Sequence, residues 1–365
     1  MPAVQPPSIV LVTGASGFSG AWIVRAFLDA GYSVHGTVRS LAKAQYLNNL
    51  FKSYDDRFKA VIIEDTSKLG AFDKVVNDEV SAVVHVAGVA HFAPSVDQAG
   101  RASYFVRQLR YIFMDQRRLA IFGPNTDSVV DLLQTLLKYG TNVKRFIYMS
   151  SAQAMLGKPL THIYTEDDWN DNAVAEAKEK GSQADGQVLY AASKVLAERA
   201  IIDFTEKHKG QIGWDATRIV PVWMFGPIIH DCNSVDNLNL SAKIFYQFLT
   251  TEREKDKVND YASEFIDVRD AADAFVAALR TEEAGGERFI LDAGAFTYQN
   301  LFDAIHSADP DASGVPYGDP DAPKFSFPGP FCDATKAKKD LKLKEFRGLS
   351  ECAIDALKSF RERGF

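Results

Sequence analysis

A short glycine-rich segment near the amino terminus constrains the fold of this chain more than any other feature. Residues 9–12 form a largely β-branched apolar run that is typical of a buried parallel strand. Gly14, Gly17 and Gly20 follow at G-x-x-G-x-x-G spacing, and residues 21–28 then show helical periodicity. Glycines between a strand and a helix let the backbone approach a pyrophosphate, which the N–H groups and dipole of the helix attract. A tight turn without a ligand could have the same spacing, but the flanking elements favour a dinucleotide site.

Strand and helix patterns alternate over the first 220 residues or so. Five further strands are predicted, at residues 32–38, 60–63, 82–86, 145–149 and 217–222. Helices between successive strands imply right-handed crossovers, and hence an α/β doubly wound parallel sheet with ligands at the carboxyl ends of its strands. Beyond residue 222, turns rich in proline and glycine indicate a smaller lobe. We therefore predict a nucleotide-binding domain over residues 1–222 and 263–283, and a substrate-binding lobe over residues 223–262 and 284–365.

Composition and charge exclude several classes of protein. The 365 residues are 46% hydrophobic and 24% charged, which is ordinary for a globular enzyme, and the net charge of −7 argues against a nucleic-acid partner. Cys232, Cys332 and Cys352 have neither disulfide-framework nor metal-ligand spacing, so we expect no metal and a reducing, cytoplasmic location. Without a basic leader or an apolar run of about 18 residues, neither a signal peptide nor a membrane span is expected.

The residue that follows the second strand indicates which dinucleotide would bind. In this architecture a carboxylate there accepts hydrogen bonds from the ribose of NAD, whereas an arginine accommodates the additional phosphate of NADP. This chain has Arg39, with Lys43 one helical turn further on, and no carboxylate at that position. The sequence therefore predicts NADP, with a surface arginine as the alternative. Asp65, after the third strand, is a candidate adenine contact or a helix N-cap.

Two segments carry residues that are suited to proton transfer. Ser150 and Ser151 close the fifth strand, while Tyr190 and Lys194 lie four residues apart on a predicted helix and so share one face. A tyrosine with a pKa of about 10 transfers protons poorly at neutral pH unless a nearby ammonium group stabilises its phenolate. Lys194 would supply that charge, lower the pKa of Tyr190 and bind the nicotinamide ribose, while Ser151 would hold a carbonyl oxygen with the tyrosine hydroxyl. An amphipathic packing pair is the alternative for Tyr190 and Lys194.

These motifs together resemble those of the extended short-chain dehydrogenase/reductases. The resemblance is strongest to the branch of dihydroflavonol reductases, cinnamoyl-CoA reductases and fungal methylglyoxal (ketoaldehyde) reductases, and it extends over most of the chain. The segments that carry it are residues 14–20, 150–151, 190–194, 225–227 and 265–270. It implies a Rossmann-type fold, NADPH/NADP+ as cofactor, and an oxidoreductase that acts on CH–OH groups through Ser151, Tyr190 and Lys194.

The same resemblance completes the predicted cofactor site. Ser151 is identified as the catalytic serine because it directly precedes alanine, and Pro221 matches the family's turn beside the nicotinamide, with a proline-ended strand as the alternative. The full set of predicted cofactor contacts consists of Gly14, Ser16, Gly17, Phe18, Gly20, Arg39, Lys43, Asp65, Thr66, Ala87, Tyr190, Lys194 and Pro221.

One segment departs from the family pattern. Residues 97–124 stand between the fourth strand and the next helix and contain five arginines and two aspartates. We predict a surface excursion outside the catalytic set, because long insertions in compact domains are commonly lids or excursions. A membrane-surface or partner helix is the alternative. Asn125 would be the family's active-site asparagine, and His85 and His91 are predicted to be packing residues rather than ligands.

The leading functional hypothesis is an NADPH-dependent reductase of small or medium apolar aldehydes and ketones, acting as a monomer or weak homodimer. An apolar pocket for this small-molecule substrate would be lined by Trp223, Met224, Phe225, Phe245 and Phe248, with lobe core as the alternative for the last two. A nucleotide-sugar epimerase or dehydratase of the same family and a cofactor sensor without turnover are the competing hypotheses. An arginine after the second strand argues against the epimerase, and the complete Ser-Tyr-Lys set argues against the sensor.

Overall fold

The computed structural model describes residues 3–66, 68–88, 123–157, 162–324 and 331–365. Its strands are β1 (Ile9–Thr13), β2 (Ser33–Val38), β3 (Phe58–Ile62), β4 (Val80–His85), β5 (Arg145–Met149), β6 (Asp215–Pro221), β7 (Met224–Phe225), β8 (Tyr261–Asp267), β9 (Arg288–Leu291) and β10 (Gly294–Thr297). Seven of them form a parallel sheet in the order β3-β2-β1-β4-β5-β6-β9. The remaining three form a small sheet in the order β10-β8-β7.

Helices cover both faces of the large sheet. They are α1 (Phe18–Asp29), α2 (Leu41–Leu50), α3 (Gly123–Tyr139), α4 (Asp171–Lys180), α5 (Gly186–Lys207), α6 (Leu240–Thr250), α7 (Val268–Arg280), α8 (Tyr298–Ala308), α9 (Thr335–Asp340) and α10 (Leu349–Arg361). Alternate strand residues enter opposite cores: Val10 packs in the core that contains α1 and α7, and Leu11 packs in the core that contains α3 and α5. The predicted doubly wound parallel sheet is confirmed.

The order of the strands places a crevice at the carboxyl end of β1. From β1 the chain proceeds outward through β2 and β3, and then returns to the other side of β1 to form β4, β5 and β6. The two halves therefore diverge between β1 and β4, where Thr13 is paired with His85. Such a switch point is where open α/β sheets bind ligands.

The smaller sheet belongs to a second core that is rich in phenylalanine. Phe225 and Phe245 are fully buried and stack with their ring centroids 4.3 Å apart, and Phe296 contacts Phe225 edge to face. Phe225 and Phe245 thus form core rather than pocket lining, because the small sheet, α6, α8 and α10 enclose them. Trp223 and Met224 are only partly buried beside this core.

The strand ends differ from the sequence predictions by at most two residues, and β5 agrees at both ends. The predicted lobe boundaries stay a prediction. Residues 288–291, which were assigned to the smaller lobe, pair with β6 and so belong to the large sheet. Residues 97–122 of the predicted excursion and His91 lie outside the described residues, and α3 begins at Gly123. Among the described helices, none has the length and apolarity needed to span a membrane.

Candidate active site

The glycine turn after β1 is packed too closely for side chains. Gly14 has φ 69°, and a Cβ there would lie 2.9 Å from the Cα of Ala87, which follows β4. A Cβ on Gly20 would lie 2.2 Å from the carbonyl oxygen of Gly14. Gly17 is the N-cap of α1 and has no side chain to cover the first N–H groups of the helix. The turn therefore leaves the N-terminus of α1 open to an anion, and the predicted pyrophosphate contact stays a prediction.

A second set of predicted contacts lies where β2 ends. Arg39 is exposed, and the next residue, Ser40, caps α2 by accepting a hydrogen bond from the backbone N–H of Lys43 (3.4 Å). The Lys43 ammonium binds the carboxylate of Asp231 at 3.0 Å, so this lysine is already engaged. Asp65 follows β3, the strand beside β2, and is exposed. Arg39, Lys43 and the N-terminus of α2 thus follow the carboxyl end of β2, the strand beside β1.

Ser151 and Tyr190 come together at the carboxyl end of β5. Ser151 begins a short turn in which its hydroxyl accepts from the N–H of Gln153 (3.3 Å), and its side chain also hydrogen-bonds Tyr190 from α5. Burial raises the pKa of Tyr190, and the hydrogen bond with Ser151 lowers it by a smaller amount. The structure thus brings a hydroxyl pair to the edge of the sheet where a carbonyl oxygen could be held.

Lys194 lies one helical turn after Tyr190 and is 4% exposed. Its ammonium donates to the backbone oxygen of Met149 (3.0 Å) and to the hydroxyl of Tyr148 (3.3 Å), while the Tyr190 ring centroid is 5.8 Å away. Burial lowers the pKa of Lys194 to about 8, against the opposing effect of the charge on Glu198. Two hydrogen bonds of the ammonium go to β5, and burial of the phenol dominates the pKa of Tyr190. The predicted lowering of the Tyr190 pKa by Lys194 stays a prediction.

A buried ion pair lies one further turn along α5. Glu198 is fully buried and pairs with Arg288 of β9, with Nε and Oε2 2.8 Å apart. The same carboxylate accepts from the Ser150 hydroxyl (2.5 Å), and Ser150 directly precedes Ser151. The ion pair therefore connects β9 to both segments of the candidate catalytic set.

The histidine at the end of β4 is neutral and fully paired. Thr13 Oγ1 accepts the N–H groups of Val86 and Ala87, both at 3.1 Å, so its own proton goes to Nδ1 of His85 at 2.9 Å. Nε2 then carries the ring proton and faces the Ser128 hydroxyl at 3.4 Å. Burial, followed by the charge of Lys194, lowers the pKa of His85 to about 3. As predicted, this histidine has a packing role.

A buried acidic cluster lies apart from these residues. Glu264 of β8, Asp292 after β9 and Cys332 have side-chain ligand atoms within 4.8 Å of one another. Gly294 N–H donates to Asp292 Oδ1 at 2.8 Å, and Phe331 N–H donates to Glu264 Oε1 at 2.9 Å. The two carboxyl groups also hydrogen-bond each other, which requires that they share a proton.

The structure brings most of the predicted residues to one edge of the sheet. The glycine turn, Ala87, Ser151, Tyr190 and Lys194 follow or face the carboxyl ends of β1, β4 and β5, and Pro221 is the buried last residue of β6. Ser16 and Thr66 lie in the turns after β1 and β3, and Phe18 is the first residue of α1. Asn125 lies within α3, but its side chain is outside the described residues.

Sequence analysis missed Glu198, Arg288 and Tyr148. A signal for Glu198 was present, since residues 190, 194 and 198 continue one helical face at four-residue spacing. Tyr148 and Arg288 had no comparable local signal, because their contacts with α5 arise only when the sheet forms.

Known proteins were found that match this chain over most of its length. The model of the NAD dependent epimerase/dehydratase family matches residues 10–107 and 115–294. The chain belongs to the extended short-chain dehydrogenase/reductases. It is 32% identical to the ketoreductase azaE of Aspergillus niger over 369 residues, which cover 97% of this chain and 98% of the relative. It is 30% identical to the NADPH-dependent methylglyoxal reductase GRE2 of Saccharomyces cerevisiae over 358 residues, which cover 95% and 96%.

Solved structures agree with this assignment. Yeast methylglyoxal/isovaleraldehyde reductase Gre2 complexed with NADPH is similar with a TM-score of 0.76 and 27% identity, covering 97% of this chain and 99% of that one. Gre2 of Candida albicans in complex with NADPH gives a TM-score of 0.77 at 26% identity, covering 98% and 100%. The predicted family, its reductase branch and the Rossmann-type fold are confirmed.

Proposed function

We propose that this oxidoreductase is an NADPH-dependent carbonyl reductase that acts on small or medium apolar aldehydes and ketones. The observation that carries the proposal is the hydrogen-bonded pair of Ser151 and Tyr190 at the carboxyl end of β5, with Lys194 buried one turn along α5. Relatives that cover nearly the whole chain are an NADPH-dependent reductase and a ketoreductase.

The cofactor is NADPH, and the residues present fit it. The turn through Gly14, Ser16, Gly17, Phe18 and Gly20 would hold the pyrophosphate, since a Cβ on Gly14 or Gly20 would collide with neighbouring backbone. Arg39 and the N-terminus of α2 would hold the additional phosphate of NADPH, because an exposed cation and a helix dipole favour an anion there. Lys43 would join them by exchanging the carboxylate of Asp231 for the phosphate.

The remaining predicted contacts surround the other parts of the cofactor. Asp65 and Thr66 would lie beside the adenine, and Ala87 and Pro221 would line the crevice towards the nicotinamide. When bound, NADPH supplies the hydride that reduces the carbonyl carbon.

The chain's own residues would manage the oxygen and the proton. Ser151 and Tyr190 hold the carbonyl oxygen between two hydroxyl groups, which stabilises the negative charge that develops on it. Tyr190 transfers its phenolic proton to that oxygen, and Lys194 balances the charge of the phenolate left behind. Because burial raises the pKa of Tyr190, the phenol is protonated at neutral pH and ready to act as the acid.

Substrate preference follows from the side chains near the site. Trp223, between β6 and β7, and Met224, in β7, are apolar and partly exposed, which favours an apolar carbonyl compound over a charged nucleotide sugar. A nucleotide-sugar epimerase or dehydratase is the alternative within the family, and a non-catalytic NADP sensor is the alternative outside catalysis.

One experiment separates these three functions. NADPH consumption is followed by absorbance with a panel of alkyl and aryl ketones, aldehydes and α-dicarbonyl compounds, and UDP-sugar binding is measured by calorimetry. Reduction of apolar carbonyl compounds without UDP-sugar binding supports the reductase. Tight UDP-sugar binding favours the epimerase, and NADPH binding with no turnover on any substrate favours the sensor.

The same assay tests the proposed acid. Tyr190→Phe removes the transferable proton but keeps the ring, so we expect turnover to fall by at least about a hundredfold. NADPH affinity, measured by fluorescence titration, should change little, whereas Lys194→Ala should weaken both binding and turnover. Near-normal turnover of Tyr190→Phe would remove this tyrosine from the mechanism.

A further inference from the structure

A second tyrosine contacts the candidate catalytic lysine from the sheet. Tyr148 lies in β5, is 1% exposed, and directly precedes Met149, whose carbonyl oxygen accepts from Lys194. The Lys194 ammonium is 3.3 Å from the Tyr148 hydroxyl and 5.0 Å from the centroid of its ring. Both the hydroxyl and the face of this ring are therefore within reach of the charge.

We propose that Tyr148 is a positioning residue that fixes the direction of the Lys194 ammonium through its hydroxyl. The inference rests on the catalytic role proposed above for Lys194. An ammonium group has three N–H donors in tetrahedral arrangement. If only Met149 O accepted, the group could rotate about that one bond. With Tyr148 Oη as second acceptor, the two hydrogen bonds together fix the direction of the third N–H. That N–H is then available to donate to the cofactor ribose or to the phenolate of Tyr190.

The charges around the ammonium come from several elements. On its own helix Lys194 faces Tyr190 and Glu198, and the carboxylate of Glu198 is paired with Arg288 of β9. On β4, His85 is neutral, because its pKa is about 3 and both ring nitrogens face hydroxyl groups. Tyr148 on β5 is also neutral, since burial raises its pKa well above the ordinary value. Its hydroxyl thus stabilises the ammonium in a dry site without adding a charge.

Replacement of Tyr148 by phenylalanine isolates the hydroxyl. The ring and its contact with the charge remain, but the ammonium loses one of its two acceptors in a site where burial already lowers its pKa to about 8. We expect the basic limb of the pH profile of kcat/KM to move down by about one pH unit, which is about tenfold in the charged fraction. The apparent pKa belongs to the coupled pair Tyr190 and Lys194.

The test measures two quantities as a function of pH. The first is kcat/KM, and the second is the dissociation constant of NADPH in the absence of carbonyl substrate. We expect Tyr148→Phe to shift both profiles in the same direction, and Tyr148→Leu, which also lacks the acceptor, to repeat the shift. Tyr32→Phe is the matched control, because Tyr32 is equally buried and its hydroxyl donates to Val4 O at 2.7 Å, far from the site. The free energy of unfolding of Tyr32→Phe should fall, while its pH profiles of kcat/KM and of NADPH binding stay unchanged.

The outcomes separate this inference from the proposed function. Unchanged profiles in both folded Tyr148 variants would overturn the inference. A wild type that binds NADPH but reduces no carbonyl compound would overturn the proposed function, while the NADPH binding profiles would still decide the role of Tyr148. A shift of equal size in Tyr32→Phe would mean that loss of any buried hydroxyl suffices, which would also refute the inference.

Discussion

The buried acid pair makes stability depend on pH in a way that one substitution can isolate. Asp292 and Glu264 are each 4% exposed. Burial, followed by the negative charge of Glu264, raises the pKa of Asp292 from its ordinary 3.8 to about 8. At neutral pH the folded protein therefore holds a proton between the two carboxyl groups that the unfolded chain releases.

The sign and size of the effect follow from this difference. Between pH 3.8 and about 8 the folded state binds one more proton than the unfolded state, so stability falls as pH rises through that interval. Below pH 3.8 Asp292 is protonated in both the folded and the unfolded state, and above about pH 8 it is deprotonated in both. One pKa unit corresponds to about 1.4 kcal/mol, so the pair links on the order of 5 kcal/mol of stability to pH.

Asp292→Asn removes the titration but keeps the shape. Its amide oxygen still accepts from Gly294 N–H, and its NH2 group replaces the shared proton in the bond to Glu264. The assay is the free energy of unfolding, obtained with denaturant at several pH values. The wild-type value is subtracted from that of the variant at each pH. The difference should rise by several kcal/mol from acid to alkaline pH, while the exposed control Asp321→Asn shows a flat difference.

If the difference in free energy of unfolding between Asp292→Asn and the wild type does not change with pH, the two carboxyl groups do not share a proton. Stabilisation of the wild type by added zinc ions, lost in the variant, would show that the cluster with Cys332 binds a metal, which displaces the shared proton.

Two further predictions concern the cofactor and the buried ion pair. Arg39→Asp should cost about 1.5–3 kcal/mol of NADPH affinity and leave NADH binding equal or better in fluorescence titration; equal affinity of the wild type for both cofactors would contradict the assignment. Glu198→Gln should lower the free energy of unfolding by about 3–5 kcal/mol, because Arg288 is left buried without its counter-charge. Its control, Glu176→Gln, breaks an exposed pair and should cost less than about 0.5 kcal/mol in the same assay.

Local patterns predicted the fold, and they indicated candidate site residues that the structure brings to one edge of the sheet. The glycine spacing after β1 and the four-residue spacing of Tyr190 and Lys194 each depend on a single turn or helix, so the sequence alone indicates their geometry. Strand ends were less accurate, since hydrogen bonds between strands decide where each one stops.

What escaped prediction depends on contacts between distant segments. Arg288 is 90 residues from Glu198 and reaches it only because β9 extends the sheet beyond β6. The lysine ammonium was expected to act on Tyr190, but β5 provides two acceptors that only the folded sheet brings near. From the sequence, Phe245 could equally line a pocket or belong to the core. In the structure it belongs to the core, because the small sheet packs against α6.

The late position of β9 and α7 in the chain has a consequence for biosynthesis. The core under α1 is closed by α7: Phe27 packs in the same cluster as Phe275 and Leu279, and Val4 N–H donates to Leu279 O at 3.1 Å. A growing chain that has emerged only as far as β6 therefore exposes the apolar face of α1. Domains generally fold as units during synthesis. Because Ala337 and Leu341 belong to the same core, this one has to wait until residue 341 has left the ribosome. Over that interval the apolar face of α1 stays open to solvent.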